Sequence, residues 1–372
     1  EALTWHRKSA DQGCAAAERN LALMLEIGYG TERNDAEALS WYQKAAEQGD
    51  VIAEGRLGSM YFYGLGTERK YDEALKFCRK AAEEGDAEAQ RLLGHMYENG
   101  LGADRDAAGA VSWYKKAAGQ GDVLSQCRLG YMYENGRGAD RNTDEAVKWY
   151  SLAALQGDVP SQRRLGKLYE SGFSIGKNPD EAKKWYQMAA DQGDDRSMLR
   201  LAEGLGGNYS GDLTWLRKLA DKGNADARRK LADILAAGEG IPQDLPGAVS
   251  LYTAAADSGD AEAARKLADL LEHGYGVPQD LTRAAEYYGR AAEKGDASAE
   301  LSLARMSLNG QDFEKAAEHL GKAAEKGNVE AQRELARLCE NGQGVGQDLS
   351  KAAEYYRKSA EQGDVLSQCS LG

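Results

Sequence analysis

Proline is scarce in this chain of 372 residues: there are five, against 44 glycines. Because proline breaks helix interiors while glycine ends helices cheaply, that imbalance suits long helices stopped by glycine. Histidine is as sparse. His6, His95, His273 and His319 lie far apart, with no H-E-x-x-H and no second ligand at usable spacing, so no metal site is expected. Cys14, Cys78, Cys127, Cys339 and Cys369 recur in no fixed pair, which speaks for free, mostly structural thiols and against a disulfide ladder. No uninterrupted apolar stretch is long enough to cross a bilayer. Positive charge is in deficit too: 47 Lys and Arg against 60 Asp and Glu leave a net charge of −13. Such a surface repels a phosphate backbone, disfavours nucleic-acid binding and fits a basic or neutral polypeptide partner better.

What the sequence does have is repetition. A glycine followed by a short polar residue, after a helix ending in two small residues, recurs at Gly13, Gly49, Gly85, Gly121, Gly157, Gly193, Gly223, Gly259, Gly295, Gly327 and Gly363. Eight of the ten spacings are 36 residues, and the exceptions are 30 (Gly193 to Gly223) and 32 (Gly295 to Gly327). Within each period the apolar spacing of three to four predicts two helices. The first carries a small residue, Leu-Gly or Leu-Ala, then often Tyr, as in Ala53, Leu57-Gly58 and Tyr61. A Gly-x-Gly loop follows (Gly64-Leu65-Gly66), and the second helix runs through a small-x-x-aromatic-aromatic segment such as Ala38 to Tyr42. The first loop glycine suits a left-handed helix end, Asp50 or Asp260 suits an N-cap, and the Gly or Ala after leucine lets two helices approach closely. One pair alone exposes an apolar face, so stability must come from stacking on neighbours. The expected fold class is therefore all-α, an α-solenoid of about ten antiparallel helix pairs with 36-residue repeats.

Leu-Gly-x-Met-Tyr-x-x-Gly at 57–64, 93–100 and 129–136, with Ala-x-x-Trp-Tyr-x-x-Ala-Ala-x-x-Gly at 38–49, 110–121 and 146–157, resembles the Sel-1-like repeat family, a relative of the tetratricopeptide repeats with a longer inter-helix loop. The resemblance spans essentially the whole chain. It implies a right-handed superhelical scaffold that binds proteins, of the kind found in bacterial envelope, signalling and virulence factors and in a eukaryotic adaptor of protein degradation. It implies no cofactor and leaves the compartment open between cytoplasm and export to a bacterial periplasm. The halves differ: residues 1–195 place Gly58, Gly94, Gly130 and Gly166 after the leucine, whereas residues 196–372 place Ala202, Ala232, Ala268, Ala304 and Ala336 there. Two continuous blocks are expected, with a bend where the 30-residue period loses its loop, at about Glu203 to Asp212.

Several motifs suggest chemistry and dissolve into this register. All six tryptophans (Trp5, Trp41, Trp113, Trp149, Trp185, Trp215) stand eight residues before a landmark glycine, which assigns them to inter-repeat packing rather than a ligand box. Gly172-Phe173-Ser174-Ile175-Gly176 matches the G-x-S-x-G nucleophile elbow but falls in an ordinary inter-helix loop, Ser174 standing where Gly138 stands one period earlier. Ser112-Trp113-Tyr114-Lys115 matches S-x-x-K without S-D-N or K-T-G elsewhere. No catalytic residue is expected. A hydrolase like the cysteine-rich Helicobacter proteins, which resemble this chain in repeat pattern, is the weaker alternative, and the unpaired cysteines depart from it. A third is a structural solenoid: the chain starts in a second helix and stops in a first one, so copies could stack weakly head to tail, the chain otherwise being monomeric.

In tetratricopeptide-like solenoids the first helix lines the concave face, and that resemblance selects columns for a protein or peptide partner. Two residues before the leucine stand Arg19, Arg91, Arg163, Arg229, Arg265 and Arg333; four further on come Ser59, His95, Tyr131 and Lys167; a third column holds Glu26, Phe62, Glu98, Glu134, Glu170, Glu272 and Glu340. In the second half Arg229 with Asp233 and Arg265 with Asp269 form i,i+4 surface pairs. The expected binding residues are thus Phe62, Arg91, His95, Glu98, Tyr131, Glu134, Arg163 and Glu170, because aromatic and arginine anchors are what protein hot spots favour.

Overall fold

The computed structural model describes residues 2–204, 213–238 and 241–371. Among them are 22 helices and no strand, an all-α solenoid. The chain divides into two compact units, Glu1–Ser197 and Met198–Gly372. The segment 205–212, where a bend was expected, lies outside the described residues.

The first unit contains α1 (Ala2–Ala10), α2 (Ala15–Ile27), α3 (Asp35–Glu47), α4 (Val51–Tyr63), α5 (Tyr71–Glu83), α6 (Ala87–Asn99), α7 (Ala107–Gly119), α8 (Val123–Asn135), α9 (Thr143–Leu155), α10 (Val159–Ser171) and α11 (Pro179–Asp191). Each packs on the next along the chain, and α4 also touches α6. From α2 onward their uniform length follows from local stop signals. Asp50 caps α4 by accepting from the Ala53 amide at 3.0 Å, and Gly64, at φ 76°, ends it with its amide on the Met60 carbonyl. Asn142 caps α9 through the Glu145 amide at 3.0 Å. Side-chain caps of this kind contribute roughly 1 kcal/mol each.

Packing between paired helices depends on the small residue after leucine. A Cβ on Gly94 would lie 2.7 Å from the Tyr114 ring, and one on Gly130 2.5 Å from that of Tyr150. The spine is therefore built from the second aromatic of each pair. Tyr42, Tyr114, Tyr150 and Tyr186 are buried. The tryptophans vary more: Trp5 is 68% exposed, Trp41, Trp113 and Trp149 are half-buried, and Trp185 and Trp215 are buried. Lys44 and Lys116 cover the rings of Trp41 and Trp113 at 3.7 and 3.8 Å, and the Trp149 indole donates to Glu145 at 3.0 Å. In these three repeats indole serves the flank of the pair and tyrosine its interior.

The second unit comprises most of α12 (Asp195–Glu203), then α13 (Thr214–Asp221), α14 (Ala225–Ala237), α15 (Leu245–Asp257), α16 (Ala261–His273), α17 (Leu281–Glu293), α18 (Ala297–Asn309), α19 (Phe313–Glu325), α20 (Val329–Asn341), α21 (Leu349–Glu361) and α22 (Val365–Leu371). Here alanine replaces the glycine against the tyrosine; Tyr252 donates to Asp233 at 2.5 Å, Tyr288 to both Asp269 and Glu272, and Tyr356 to Glu340 at 2.9 Å. The 32-residue period is shortened at one loop. After α18 the chain turns through Gln311, at φ 58°, straight into the Asp312 cap of α19.

Candidate protein-binding surface

The first helices of the first unit present the expected columns, and most of their charged members are already engaged by neighbouring repeats. Arg91 forms an ion pair with Asp122 at 3.3 Å and a longer one with Glu88 at 3.5 Å. Arg163 pairs with Asp194, and Arg19 bonds Asp50 at 2.7 Å, each reaching 31 residues ahead. The acceptor is in each case the Asp that caps the next first helix, so these arginines tie one repeat to the following cap. In the second unit Arg229, Arg265 and Arg333 reach Asp260, Asp296 and Asp364 in the same way, at 3.2, 3.2 and 2.7 Å. The i,i+4 pairs expected there exist beside them, Arg229–Asp233 at 3.8 Å and Arg265–Asp269 at 3.2 Å.

The glutamate column is engaged as well. Tyr114 donates to Glu98 at 3.0 Å, Tyr150 to Glu134 at 3.0 Å and Tyr186 to Glu170 at 2.8 Å, each tyrosine lying 16 residues ahead in the paired helix. Arg128 and Arg164, from the following first helices, complete the clamps on Glu98 and Glu134 at 2.8 and 2.7 Å. Burial, followed by the adjacent carboxylate, pushes the Tyr114 and Tyr150 phenols far above their ordinary range, so both remain donors. The sequence reading also missed a glutamine ladder: Gln120 donates to Gln90, Gln156 to Gln126 and Gln192 to Gln162, at 2.8, 2.8 and 2.9 Å. Its signal was present as glutamines recurring 30 residues apart in alternate helices.

The aromatic members are gathered differently. Phe62 meets His95, Tyr63 and Tyr71 edge to face, with ring centroids 5.4, 5.0 and 5.7 Å away. Arg91 also lies beside Tyr63. Burial holds the half-buried His95 imidazole below its ordinary pKa, and its Nδ1 has no hydrogen-bond partner. One repeat further on, Tyr131 stands between Arg128 and Arg137, whose guanidinium carbons lie 5.4 and 5.3 Å from the ring. The structure therefore brings Phe62 and His95 together, sets Tyr131 one repeat along, and commits Arg91, Arg163, Glu98, Glu134 and Glu170 to joints between helices.

Beyond Tyr131 the α10–α11 loop borders a cleft of about 310 Å³ lined by Arg141, Asn142, Thr143, Asp144, Phe173 and Ser174. A smaller compartment of about 130 Å³ shares Arg141, Thr143 and Phe173 and adds Glu134, Arg164, Lys167, Leu168 and Ser171. No histidine or cysteine lines either, and the acid that shares the larger cleft with Ser174 is Asp144. Among the described residues, no group of three His, Cys, Asp or Glu is placed to hold a metal ion, and no helix is long and apolar enough to cross a membrane.

Comparison with known proteins agrees with this architecture. The Sel1 repeat family model matches residues 1–14, 15–50, 51–86, 87–122, 123–158, 159–194, 225–260, 261–296, 297–328 and 329–364. Among solved structures, the chain is similar to a protective antigen present in uropathogenic Escherichia coli strains and displaying an SLR fold. The two are 34% identical over 99% of this chain and 81% of that one, with a TM-score of 0.73. It also matches a Sel1 repeat protein of Oxalobacter formigenes (28% identity, 66% of this chain, 89% of that one, TM-score 0.45). A third match is an immunity protein of Pseudomonas aeruginosa (24% identity, 50% of this chain, 67% of that one, TM-score 0.33). No curated protein matches the chain.

Proposed function

Because the chain belongs to the Sel1 repeat family, whose members generally mediate protein–protein interaction, we propose that it is a non-catalytic adaptor holding a peptide or protein surface along the first helices of its first unit. The observation that carries this reading is selective saturation. Arginine, glutamate and glutamine on these helices are spent on joining repeats, while Phe62, Tyr63, Tyr71, His95 and Tyr131 form an aromatic series on or beside them that stays partly exposed even where Phe62 and His95 meet across successive repeats. Half-exposed aromatics flanked by arginine supply contact area at small entropic cost. The net negative charge suggested a basic partner, but nothing on this face supports one, because its carboxylates are already held by tyrosine and arginine.

A test is selection of peptides from a random phage-displayed library on the immobilised full chain, followed by affinity measurement against Phe62→Ala and Tyr131→Ala. Each substitution is expected to weaken the selected peptides about tenfold or more, as hot-spot aromatics do. Unchanged affinity for both variants would reject the proposed face.

A further inference from the structure

The cleft beside Ser174 has a cause in the repeat. In four other loops the second glycine lies against the backbone at the start of the preceding second helix: Gly66 on Asp35, Gly102 on Tyr71, Gly138 on Ala107 and Gly344 on Phe313, so close that a Cβ would collide with the carbonyl. Ser174 occupies that register in the α10–α11 loop, at φ 64°. The loop takes another course: the Gly176 amide bonds the Gly172 carbonyl at 3.2 Å, and the Phe173 amide faces the Ser171 hydroxyl at 3.4 Å rather than the helix-end carbonyl that Arg137 uses one repeat earlier. The loop still rejoins the repeat at Asn178, whose amide reaches the Tyr169 carbonyl at 2.9 Å. Its middle does not close on α9, and the opening remains.

Charge in the opening is not balanced. Arg141 is exposed and stacks over the Phe173 ring at 4.6 Å, and Lys167 is exposed; among the described residues neither has a carboxylate within ion-pair distance. Of the two acids lining the cleft, Glu134 is held by Tyr150 and Arg164, and Asp144 lines only the larger compartment, in the first turn of α9. The smaller compartment therefore offers two free cations and an apolar wall in a chain of net charge −13.

We infer that this opening is a pocket for an acidic side chain of a bound peptide. Arg141 and Lys167 take the carboxylate, and Phe173 takes the apolar or aromatic residue next to it. The inference rests on the adaptor reading and adds to it a chemistry for the partner: an acidic segment interspersed with aromatic residues. The probe is a short fluorescein-labelled peptide of alternating Glu and Tyr, compared by fluorescence anisotropy with its Gln–Tyr and Lys–Tyr counterparts and with oligothymidine, on the full chain at low and high salt.

The Glu–Tyr peptide is expected to bind at least about tenfold more tightly than Gln–Tyr, with the difference shrinking at high salt. Arg141→Gln and Lys167→Gln should each weaken the Glu–Tyr peptide about tenfold and leave Gln–Tyr unchanged. Ser174→Gly, which removes no charge, should weaken it too by letting the loop close. Equal loss for both peptides, no loss for either, no binding of Glu–Tyr, or oligothymidine binding as tight as the peptide would overturn the pocket. If Phe62→Ala and Tyr131→Ala still weaken selected peptides while Arg141→Gln does not, the adaptor reading stands and the pocket alone falls.

Discussion

Gly94 is the most informative place to perturb the repeat. A Cβ there would lie 2.7, 2.8 and 3.0 Å from three atoms of the buried Tyr114 ring, where ordinary carbon contacts are about 3.5–4.0 Å. The ring must move by roughly 1 Å, and overpacking of this kind costs about 1–3 kcal/mol. The same movement strains the Tyr114 hydrogen bond to Glu98, a bond to a charged acceptor contributing about 1.5–3 kcal/mol if lost outright. Against these stands about 1 kcal/mol gained by replacing a mid-helix glycine with alanine. Gly94→Ala is therefore expected to destabilise the pair α6–α7 by about 2 kcal/mol.

The second unit indicates how that loss is recovered. There alanine occupies this position, and the next residue, Asp233 or Asp269, receives the tyrosine hydroxyl. The equivalent residue after Gly94 is His95, so Gly94→Ala/His95→Asp should regain about 1 kcal/mol over the single variant, a coupling of the size seen between contacting residues. Hydrogen exchange of the α6 and α7 amides reads the local opening free energy without requiring all-or-none unfolding of a repeat array. A single variant as stable as the parent would refute the close-approach argument. A double variant no better than the single would refute the relocated hydrogen bond.

Other perturbations follow the same physics. Ser174→Gly removes a left-handed conformation from a non-glycine residue and should raise stability by about 1 kcal/mol, read as a higher midpoint in urea; a lower midpoint would mean that the serine relieves strain rather than bearing it. For His95, burial, assisted by Arg128 and Arg91 and opposed by Glu98, lowers the folded pKa below 6.5, so the unfolded chain binds the proton more readily. The stability contributed by the neutral imidazole is present above about pH 6.5 and is lost as pH falls through that value towards the folded pKa. His95→Gln should flatten this slope in a pH series of urea midpoints, and an unaltered slope would count against it. Thiol labelling should rank by environment. Cys14, exposed at the start of α2, has its pKa lowered chiefly by the Ala17 amide, whereas burial pushes Cys78 up to about 12. Cys14 should therefore react with a disulfide reagent far faster than Cys78 in the folded chain and at a similar rate in denaturant.

The repeat was legible in the sequence because its punctuation is local. A glycine in the left-handed region and an Asp that caps the next helix act within a few residues, and Gly49-Asp50 or Gly85-Asp86 can be read without knowing what they pack against. The partners of the charged columns were not legible in the same way. Arg229 has Asp233 four residues away, the distance at which helix pairing is usually sought, yet it sits nearer to Asp260 in the following repeat. Glu98 has the composition of a surface residue and is buried, because the phenol that satisfies it lies 16 residues on. The tryptophans drew attention by their regularity, although beside Trp41, Trp113 and Trp149 it is the following tyrosine that fills the interior. The cleft could not be foreseen at all, since it depends on the course of a loop whose length is unchanged.

In a solenoid each joint is made the same way many times, so residues that make joints repeat and residues that serve a partner need not. The column Ser59, His95, Tyr131 and Lys167 differs from its neighbours in this respect. Its neighbours on either side, arginine reaching the next cap and glutamate under tyrosine, recur with the joint they close, whereas this column changes identity at every step of the first unit. In the second unit two members of the same column, Asp233 and Asp269, have been drawn into the joint as acceptors for Tyr252 and Tyr288. The residue after the leucine does not alone decide this: Tyr42 reaches Glu26 beside Ala22, and Tyr356 reaches Glu340 beside Ala336, as Tyr114 reaches Glu98 beside Gly94. What Asp233 and Asp269 have and the first-unit column lacks is a carboxylate at that position, so the side chain placed there decides whether it is drawn into the joint.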